Sequence, residues 1–436
     1  MKIVDRIIQK LPKDSKKLKL LLAGEAAAAV LLAALAIGLA GGSAGGGRSV
    51  SPAPASPTPT PEPPLVEPEI PAQAPPEKTV RLAYTGDVIG HMGIIYDAMR
   101  DGGFSLSHQF EYAGDWIEDA DFAICNLETT LAADDYSGYP RFGSPDGLAD
   151  SLKNDLGFDL VTTANNHCVD RNYDGLVRTL DVLDDIGLPH VGTYRTQEER
   201  DENRGVVTAD VDGVSIAFLD YTYGTNGIPV RVDGSVNLFN NSGSDDDVEL
   251  DEELLADDLE YARSLHTDFI IVMMHWGQEY HIKENGDQDE AADFLLAHGA
   301  DMVLGGHSHV PQPMEYRTVT DIWGNEKTGL VVFSLGNLIA DQVDNDTQIT
   351  AVVNIDLTVG GNEPPRVTDV TYVPLYYLQR EDTAREEFLL VDSRALVEDY
   401  EGDNTYYFTN SYIYDLVDDS IGRCAELLGE DWEYTS

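Results

Sequence analysis

From Thr79 onward the chain repeats one pattern, in which short β-rich apolar segments alternate with segments of helical periodicity. Strands that are apolar along their whole length are buried on both faces, and helices between them cover those faces. The alternation therefore predicts an α/β fold. The predicted strands are 80–86, 122–126, 158–164, 214–222, 269–276, 301–306 and 330–337. The predicted helices lie around 107–119, 147–156, 174–186, 249–265 and 288–299.

Two other stretches have the pattern of antiparallel strand pairs. VVTADVDGVSIAFLD (206–220) and ITAVVNIDLTVGGNEPPRVTDVTYVPLYYL (349–378) each contain two β-rich runs joined by turn residues, and short turns of this kind join antiparallel neighbours. Parallel and antiparallel strands together predict a mixed, two-sheet α/β sandwich flanked by helices over residues 79–380. The acidic, aromatic segment 381–436 is interpreted as a C-terminal extension.

Polar side chains follow most of the predicted strands. They are Asp87, Glu128, Asn165, Asn166, His167, His275, His307 and His309. Ligands of α/β proteins bind at the carboxyl ends of the strands, so these groups are expected to meet in one cleft. Carboxylates, an amide and imidazoles together suit one or two borderline divalent ions such as zinc, manganese or iron.

Each of these residues taken alone has an ordinary structural explanation. Asp87 after a glycine suits a turn or a helix cap, and Asn165–Asn166 is a turn signal. His275 alone is compatible with a hydrogen-bonded histidine of the core. His307 and His309 are stronger candidates, because alternate residues of an extended chain point the same way. The metal hypothesis depends on the recurrence of such groups at successive strand ends.

The N-terminal region has the pattern of a membrane anchor. Residues 20–40 are apolar except for Glu25, and residues 1–19 contain seven basic and two acidic side chains. Twenty-one helical residues span a hydrocarbon core of about 30 Å, and a basic flank stays in the cytoplasm. We therefore expect a cytoplasmic segment (1–19), a single-pass anchor (20–40) and an extracellular remainder. Cleavage at the small residues after Gly38 is the alternative, and an uncleaved anchor is favoured because signal peptides have shorter apolar runs.

Residues 41–77 begin with glycines and continue with many prolines, a composition typical of an extended spacer without a core. Beyond residue 19 the chain has 21 basic and 76 acidic side chains, a net charge of −55. Such a charge repels phosphate backbones and excludes nucleic acid as a partner. The three cysteines are too few for a disulfide framework, and Cys125 and Cys168 are expected to be buried free thiols.

Six motifs occur in a fixed order: GDVIGH, NLETTL, TTANNHCVD, HWGQEY, GGHSHVPQ and SLGNL. In this order they resemble the poly-γ-glutamate capsule synthesis (CapA-type) family, which is related in fold to calcineurin-like metallophosphoesterases. The resemblance covers roughly residues 80–380. It implies a metallophosphoesterase-like two-sheet sandwich and a function in the biosynthesis or export of an anionic surface polymer.

The resemblance also implies a role for each strand-end residue. The implied metal ligands are Asp87, Glu128, Asn166, His275, His307 and His309, with Glu128 in the bridging position that is usually Asp. His167 is the implied catalytic residue, close to the leaving group. One feature departs from the pattern, because metallophosphoesterases commonly begin with Asp-x-His and Ile89 stands in the histidine position. His91, four residues after Asp87, is the available substitute.

Three functions remain open at this point. The first is an accessory protein that handles an anionic polymer such as poly-γ-glutamate, in contact with a capsule synthase complex. The second is an extracellular metal-dependent hydrolase of a phosphoester or another small anionic substrate, and the third is a binding module with a vestigial site. A net charge of −55 opposes contact with a polyanion unless bound cations bridge the two.

Overall fold

The computed structural model describes residues 74–100, 102–245, 247–343, 346–380, 387–401 and 411–434. The chain divides into two units, Met1–Pro71 and Ala72–Ser436, and the described residues all belong to the second. The predicted cytoplasmic segment, the anchor at 20–40 and most of the spacer lie outside them. Within the described ranges, none of the helices is both long enough and apolar enough to cross a bilayer.

Two mixed β-sheets form the centre of the second unit. Its strands are β1 (Lys78–Val88), β2 (Met99–Arg100), β3 (Gly103–Phe104), β4 (Phe122–Leu127), β5 (Thr130–Leu131), β6 (Gly143–Ser144), β7 (Leu160–Thr162), β8 (His190–Val191), β9 (Val207–Val211), β10 (Val214–Thr222), β11 (Phe269–His275), β12 (Met302–Gly306), β13 (Pro311–Thr320), β14 (Glu326–Leu335), β15 (Asn337–Ile339), β16 (Ile349–Val359), β17 (Arg366–Arg380) and β18 (Glu387–Asp392).

The first sheet has the order β18-β17-β16-β1-β4-β7-β8, with β15 also paired to β1. The pairs among β1, β4, β7 and β8 are parallel, whereas β16, β17 and β18 are antiparallel to their neighbours. The second sheet has the order β13-β14-β12-β11-β10-β9. Its inner strands are parallel, and β9 and β13 are antiparallel edges. Both predicted antiparallel pairs are therefore present.

Helices cover the outer face of each sheet. They are α1 (Met92–Ala98), α2 (Asp115–Glu118), α3 (Gly147–Asn154), α4 (Asn172–Ile186), α5 (Gln197–Glu202), α6 (Glu252–Ser264), α7 (Gly286–Ala297), α8 (Ser393–Glu401) and α9 (Ser411–Leu428), with 3-10 turns at Ser107–Phe110 and Glu430–Trp432. The single helix predicted at 107–119 is wrong. A 3-10 turn that ends at Phe110 and the short α2, which begins at Asp115, replace it. Gly114 lies between them, and glycine destabilises helix interiors.

The strand side chains alternate between two cores, as a two-residue period requires. In β1, Leu82 and Tyr84 belong to the core between the sheets, whereas Ala83 belongs to the core beneath the helices. In β10, Phe218 faces the inner core, and Leu219 faces the core between the second sheet and helices α6 and α7. Burial on both faces accounts for the uninterrupted apolar sequences, and the expectation of a mixed α/β fold with flanking helices is confirmed.

The C-terminal segment is part of the same unit. β18 extends the first sheet by pairing with β17, from Leu375 opposite Asp392 to Arg380 opposite Glu387. Apolar residues of α8 and α9, among them Leu396 and Val417, join the inner core. The predicted boundary at residue 381 therefore falls between two paired strands, because β17 ends at Arg380 and β18 begins at Glu387.

Candidate metal centre

The predicted site residues lie at the carboxyl ends of five strands from both sheets. Asp87 is the second-last residue of β1, Glu128 follows β4, and Asn166 and His167 follow β7. From the second sheet, His275 ends β11, and His307 and His309 follow β12. All seven side chains are buried. The parallel strands of both sheets thus deliver their polar ends to one place.

The turn after β12 brings two histidines against the end of β1. His307 and His309 have φ values of +94° and +60°, a left-handed backbone that is uncommon for residues with a side chain. Gly306 allows this close approach, because a Cβ atom on residue 306 would lie only 2.7 Å from Oδ1 of Asp87. The His307 backbone N–H donates to Oδ2 of Asp87 over 3.1 Å. This turn therefore stores strain at the site, as functional turns often do.

Two overlapping groups of donor atoms have the spacing needed to hold metal ions. Glu128, His275 and His307 each offer an atom within 4.8 Å of the others, and Asp87, Glu128 and His309 do the same. Nε2 of His275 lies 3.7 Å from Oε1 of Glu128, and Nδ1 of His309 lies 3.9 Å from Oδ2 of Asp87. Because Glu128 belongs to both groups, it occupies the position of a bridging carboxylate.

Asn166 completes the cluster next to His275. Its Oδ1 lies 2.9 Å from Nε2 of His275, and its Nδ2 donates to Oδ1 of Asn226 over 3.2 Å. The second contact orients the amide so that its oxygen, the atom able to bind a cation, points toward the cluster. The structure thus brings together all six predicted ligands, and metal binding by them stays a prediction.

The Glu128 carboxylate provides the test of whether a cation fits. Both of its oxygens are buried without a hydrogen-bond partner among the described residues. Burial, followed by the charges of Asp87, Glu279 and Asp170, raises the pKa of Glu128 well above its ordinary value. An unpaired buried carboxylate is costly, and a divalent cation between these donors removes that cost. The residues present therefore fit one or two divalent ions.

The protonation states of the other ligands agree with cation binding. Burial, followed by the neighbouring histidines, lowers the pKa of His275 and His307 well below the ordinary value. Burial lowers the pKa of His309 to about 4. All three imidazoles are therefore neutral near pH 7, which is the form that binds metal. Burial also raises the pKa of Asp87 to about 6, against the hydrogen bonds from Asn126 and His307.

His167 lies at the edge of the cluster with its own carboxylate partner. Nδ1 of His167 is 2.7 Å from Oδ2 of Asp170, and the Phe142 backbone N–H donates to the same oxygen over 2.6 Å. The Phe142 ring packs edge-on against the His167 ring, with centroids 4.7 Å apart. These contacts fix the ring, and its other nitrogen, Nε2, lies 3.4 Å from Nδ2 of Asn226.

His91 does not replace the missing Asp-x-His histidine in this arrangement. Nδ1 of His91 accepts the backbone N–H of Asp341 over 3.2 Å, and its ring packs edge-on against Phe142. It belongs to neither group of donor atoms among the described residues. Ile89, which stands in the histidine position, is a buried apolar residue. The substitution by His91 is therefore not supported.

Several residues support the predicted ligands through hydrogen bonds. Asn126 donates to Oδ1 of Asp87 over 2.8 Å, and Oδ1 of Asn337 lies 3.0 Å from Nδ1 of His309. Such partners orient ligands and tune their basicity. Asn126 lies two residues before Glu128, and Asp170 three residues after His167, but neither spacing identifies a partner without the fold. Cys125 and Cys168 are buried free thiols, as expected.

The fold and the site define a mixed α/β sandwich with a candidate two-ion centre at the ends of its parallel strands. Residues 81–342 match the family described as bacterial capsule synthesis protein PGA_cap. The chain belongs to this family, which confirms the resemblance indicated by the six motifs.

Two relatives agree with this assignment. The chain is 25% identical over 267 residues to the capsule biosynthesis protein CapA of Bacillus anthracis, covering 59% of this chain and 60% of the relative. It is 29% identical over 216 residues to the PGA biosynthesis protein CapA of Bacillus subtilis (strain 168), covering 50% and 51%. The chain therefore matches between half and three fifths of each relative's length.

Similar solved structures include two bacterial proteins. The NAD nucleotidase of Haemophilus influenzae has a TM-score of 0.41 and 12% identity, with 80% of this chain and 60% of that chain covered. The calcineurin-like phosphoesterase YfkN from Bacillus subtilis has a TM-score of 0.40 and 15% identity, with 80% and 98% covered.

Proposed function

We propose that this protein acts on the outer side of the cell membrane in the biosynthesis or export of an anionic surface polymer, with poly-γ-glutamate as the polymer. Its centre holds one or two divalent ions and catalyses the hydrolysis of a phosphoester or a related anionic substrate. The observation that carries this proposal is the Glu128 carboxylate, buried without a hydrogen-bond partner and common to both groups of donor atoms.

The residues have separate tasks in this chemistry. Asp87, Glu128 and His309 would hold one ion, and His275 and His307, with Glu128, the other. When bound, divalent ions would supply Lewis-acid polarisation of a substrate oxygen and would lower the pKa of a nearby water. Asn166 directs its amide oxygen toward the same place.

His167 supplies the proton for the leaving group. Its Nδ1–H donates to Asp170, which fixes the ring orientation and directs Nε2 to the substrate; in the imidazolium form Nε2 carries the proton that passes to the leaving-group oxygen. This His–Asp pair favours a hydrolase over a module that only binds. A binding module needs no oriented proton donor at the edge of its ion site.

The first experiment measures metal content and hydrolysis on the same preparations. Full-length protein is analysed for bound zinc, manganese and iron, and then assayed with phosphoesters after each ion is restored. His167→Gln is expected to keep its metal and lose hydrolysis. A protein that binds no divalent ion would refute the metal-dependent function, and a His167→Gln variant with full activity would refute the assigned role.

The proposed location and partners have their own tests. Full-length protein is expected in the membrane fraction, because residues 20–40 are apolar over the length of a bilayer, and recovery of only a shortened soluble product would contradict the anchor. Polyglutamate is expected to co-sediment with the protein in the presence of divalent ions and to be released by chelator, since the net charge of −50 otherwise repels it. Co-purification from membranes tests the proposed contact with a capsule synthase complex.

A further inference from the structure

The mouth of the metal centre contains a carboxylate that the proposed hydrolysis does not use. Glu279 lies in the turn after β11, and the backbone N–H of its neighbour Tyr280 donates to the Ser308 carbonyl over 2.7 Å. This bond ties the turn to the histidine turn after β12. The Glu279 side chain is 43% exposed, and its Oε1 lies 4.0 Å from Nε2 of His309. The carboxylate therefore stands between the ion donors and solvent.

Tyrosine rings lie around this carboxylate. The Tyr223 ring packs against His307 with centroids 4.7 Å apart, and the Tyr280 ring packs against His309 at 5.6 Å. Tyr280 follows Glu279 directly in the chain, and the Tyr223 backbone N–H donates to the His275 carbonyl over 3.2 Å. The Tyr139 ring, which is 79% exposed, lies 6.5 Å from the Phe142 ring that packs against His167. Three aromatic side chains thus lie around the donor cluster.

In the part of the chain that the structure describes, no lysine or arginine lies within ion-pair distance of Glu279. Among the described residues, none of the lysines or arginines forms an ion pair with Glu279, Glu128, Asp87 or Asp170, and the ion pairs of these carboxylates are with histidines. A ligand group with a positive charge supplies what the site lacks.

We propose that Glu279, with Tyr223, Tyr280 and Tyr139, binds the ammonium group of a zwitterionic ligand whose anionic group is bound at the metal centre. A carboxylate beside aromatic faces is a suitable environment for an organic cation. The same arrangement rejects ligands with a second negative charge next to the metal-bound group, because that charge would face Glu279. This proposal depends on the proposed function in one respect only, namely that the anionic group of the ligand binds at the metal centre.

Two sources present this chemistry. One is the free amino end of a γ-glutamyl chain, where an ammonium stands next to a carboxylate. The other is a phosphoester of an amino alcohol, where the ammonium lies two carbons from the phosphate. Either source reconciles an acidic protein with an anionic ligand, because the group nearest to Glu279 is positive.

The experiment compares ligands that differ only in the positive charge. O-Phosphoethanolamine is paired with ethyl phosphate, and γ-glutamyl-glutamate is paired with its N-acetyl derivative. Binding to the full-length protein, loaded with Mn²⁺, is measured by calorimetry. We expect a preference of about tenfold for the charged member of at least one pair. A preference in the phosphate pair alone identifies the phosphoester source, and a preference in the peptide pair alone identifies the polymer end.

Glu279→Gln has a matched control in Glu326→Gln. Both remove one negative charge without changing the side-chain size, and Glu326 is an exposed residue at the start of β14, the end of that strand away from the site. Glu279→Gln is expected to abolish the preference, whereas Glu326→Gln keeps it. Tyr139→Leu is expected to reduce the preference, and because Tyr139 is 79% exposed the substitution leaves the buried core unchanged.

Three results would overturn the proposal: equal binding within both pairs, a preference that survives Glu279→Gln, and binding of none of the four compounds to metal-loaded protein. Metal content is measured on the same samples, so normal metal content without an amine preference refutes only this inference. If the protein holds no ion, the proposed function fails, and the ammonium site is then tested by quenching of protein fluorescence with tetramethylammonium. In that case equal quenching of wild type and Glu279→Gln refutes the inference as well.

Discussion

Replacing Glu128 with Gln is expected to have opposite effects on stability with and without metal. In metal-free protein at pH 8, both carboxylate oxygens are buried without a hydrogen-bond partner. A buried carboxylate without a hydrogen-bond partner costs a fold about 1–3 kcal/mol, and Gln places no ionisable group there. The Glu128→Gln variant is therefore expected to unfold at a temperature a few degrees higher than wild type in chelator.

The same substitution removes the one donor that both groups of metal ligands share. Loss of a partner that only orients a ligand costs roughly 10–100-fold in metal affinity, so loss of this shared charge is expected to cost at least about 100-fold. Wild type at a metal concentration 100 times its Kd gains about 2.7 kcal/mol, and the variant gains little. The order of stabilities is therefore expected to invert when metal replaces chelator.

Thermal unfolding of the full-length protein in chelator and in excess Mn²⁺ measures both effects, and metal content is determined in parallel. Glu326→Gln is the control, because it removes the same charge from an exposed position and is expected to follow wild type in both conditions. The reasoning is refuted if Glu128→Gln is less stable than wild type in chelator. It is also refuted if metal stabilises both proteins equally.

Three other predictions concern neighbouring residues. His307→Ala and His309→Ala are each expected to lower metal content. In chelator their free energy of unfolding is expected to change by less than about 1 kcal/mol, because both residues lie in a turn and contribute little to the hydrophobic core. Full metal content in both variants would contradict the site. Burial raises the pKa of Asp87 from 3.8 to about 6, so the stability present below its ordinary pKa is lost as pH rises through the folded value. The buried histidines have lowered pKa values and act in the opposite direction, so Asp87→Asn is the reference, and metal-free wild type is expected to lose about 2 kcal/mol of stability relative to it between pH 4 and pH 7. Urea unfolding of both proteins at each pH tests this, and a difference that does not change with pH would count against it. Asp170→Asn is expected to lower kcat by about 100-fold or more at unchanged metal content, because His167 loses the acceptor that fixes its tautomer; steady-state kinetics with metal analysis decide the point.

The mixed α/β fold was predictable because the periodicity is local. Residues 269–274 are apolar at every position, and a short run of this kind is typical of a strand buried on both faces. The helix predicted at 107–119 failed for a local reason too, since a glycine divides the region and the chain forms a 3-10 turn and a four-residue helix there.

The sequence by itself determined which residue types stand at the strand ends, and therefore that Asp87, Glu128 and the histidines were candidates for a common site. Only the tertiary structure decided how they meet. Asp87 and Glu128 come from one sheet and His275 from the other, so their contact depends on how two sheets pack, which strand periodicity does not encode. The same packing turns His91 toward the Asp341 backbone and leaves both oxygens of Glu128 without a hydrogen-bond partner. Candidate residues are a local property of the chain, whereas the absence of a partner for a buried charge is a property of everything that surrounds it.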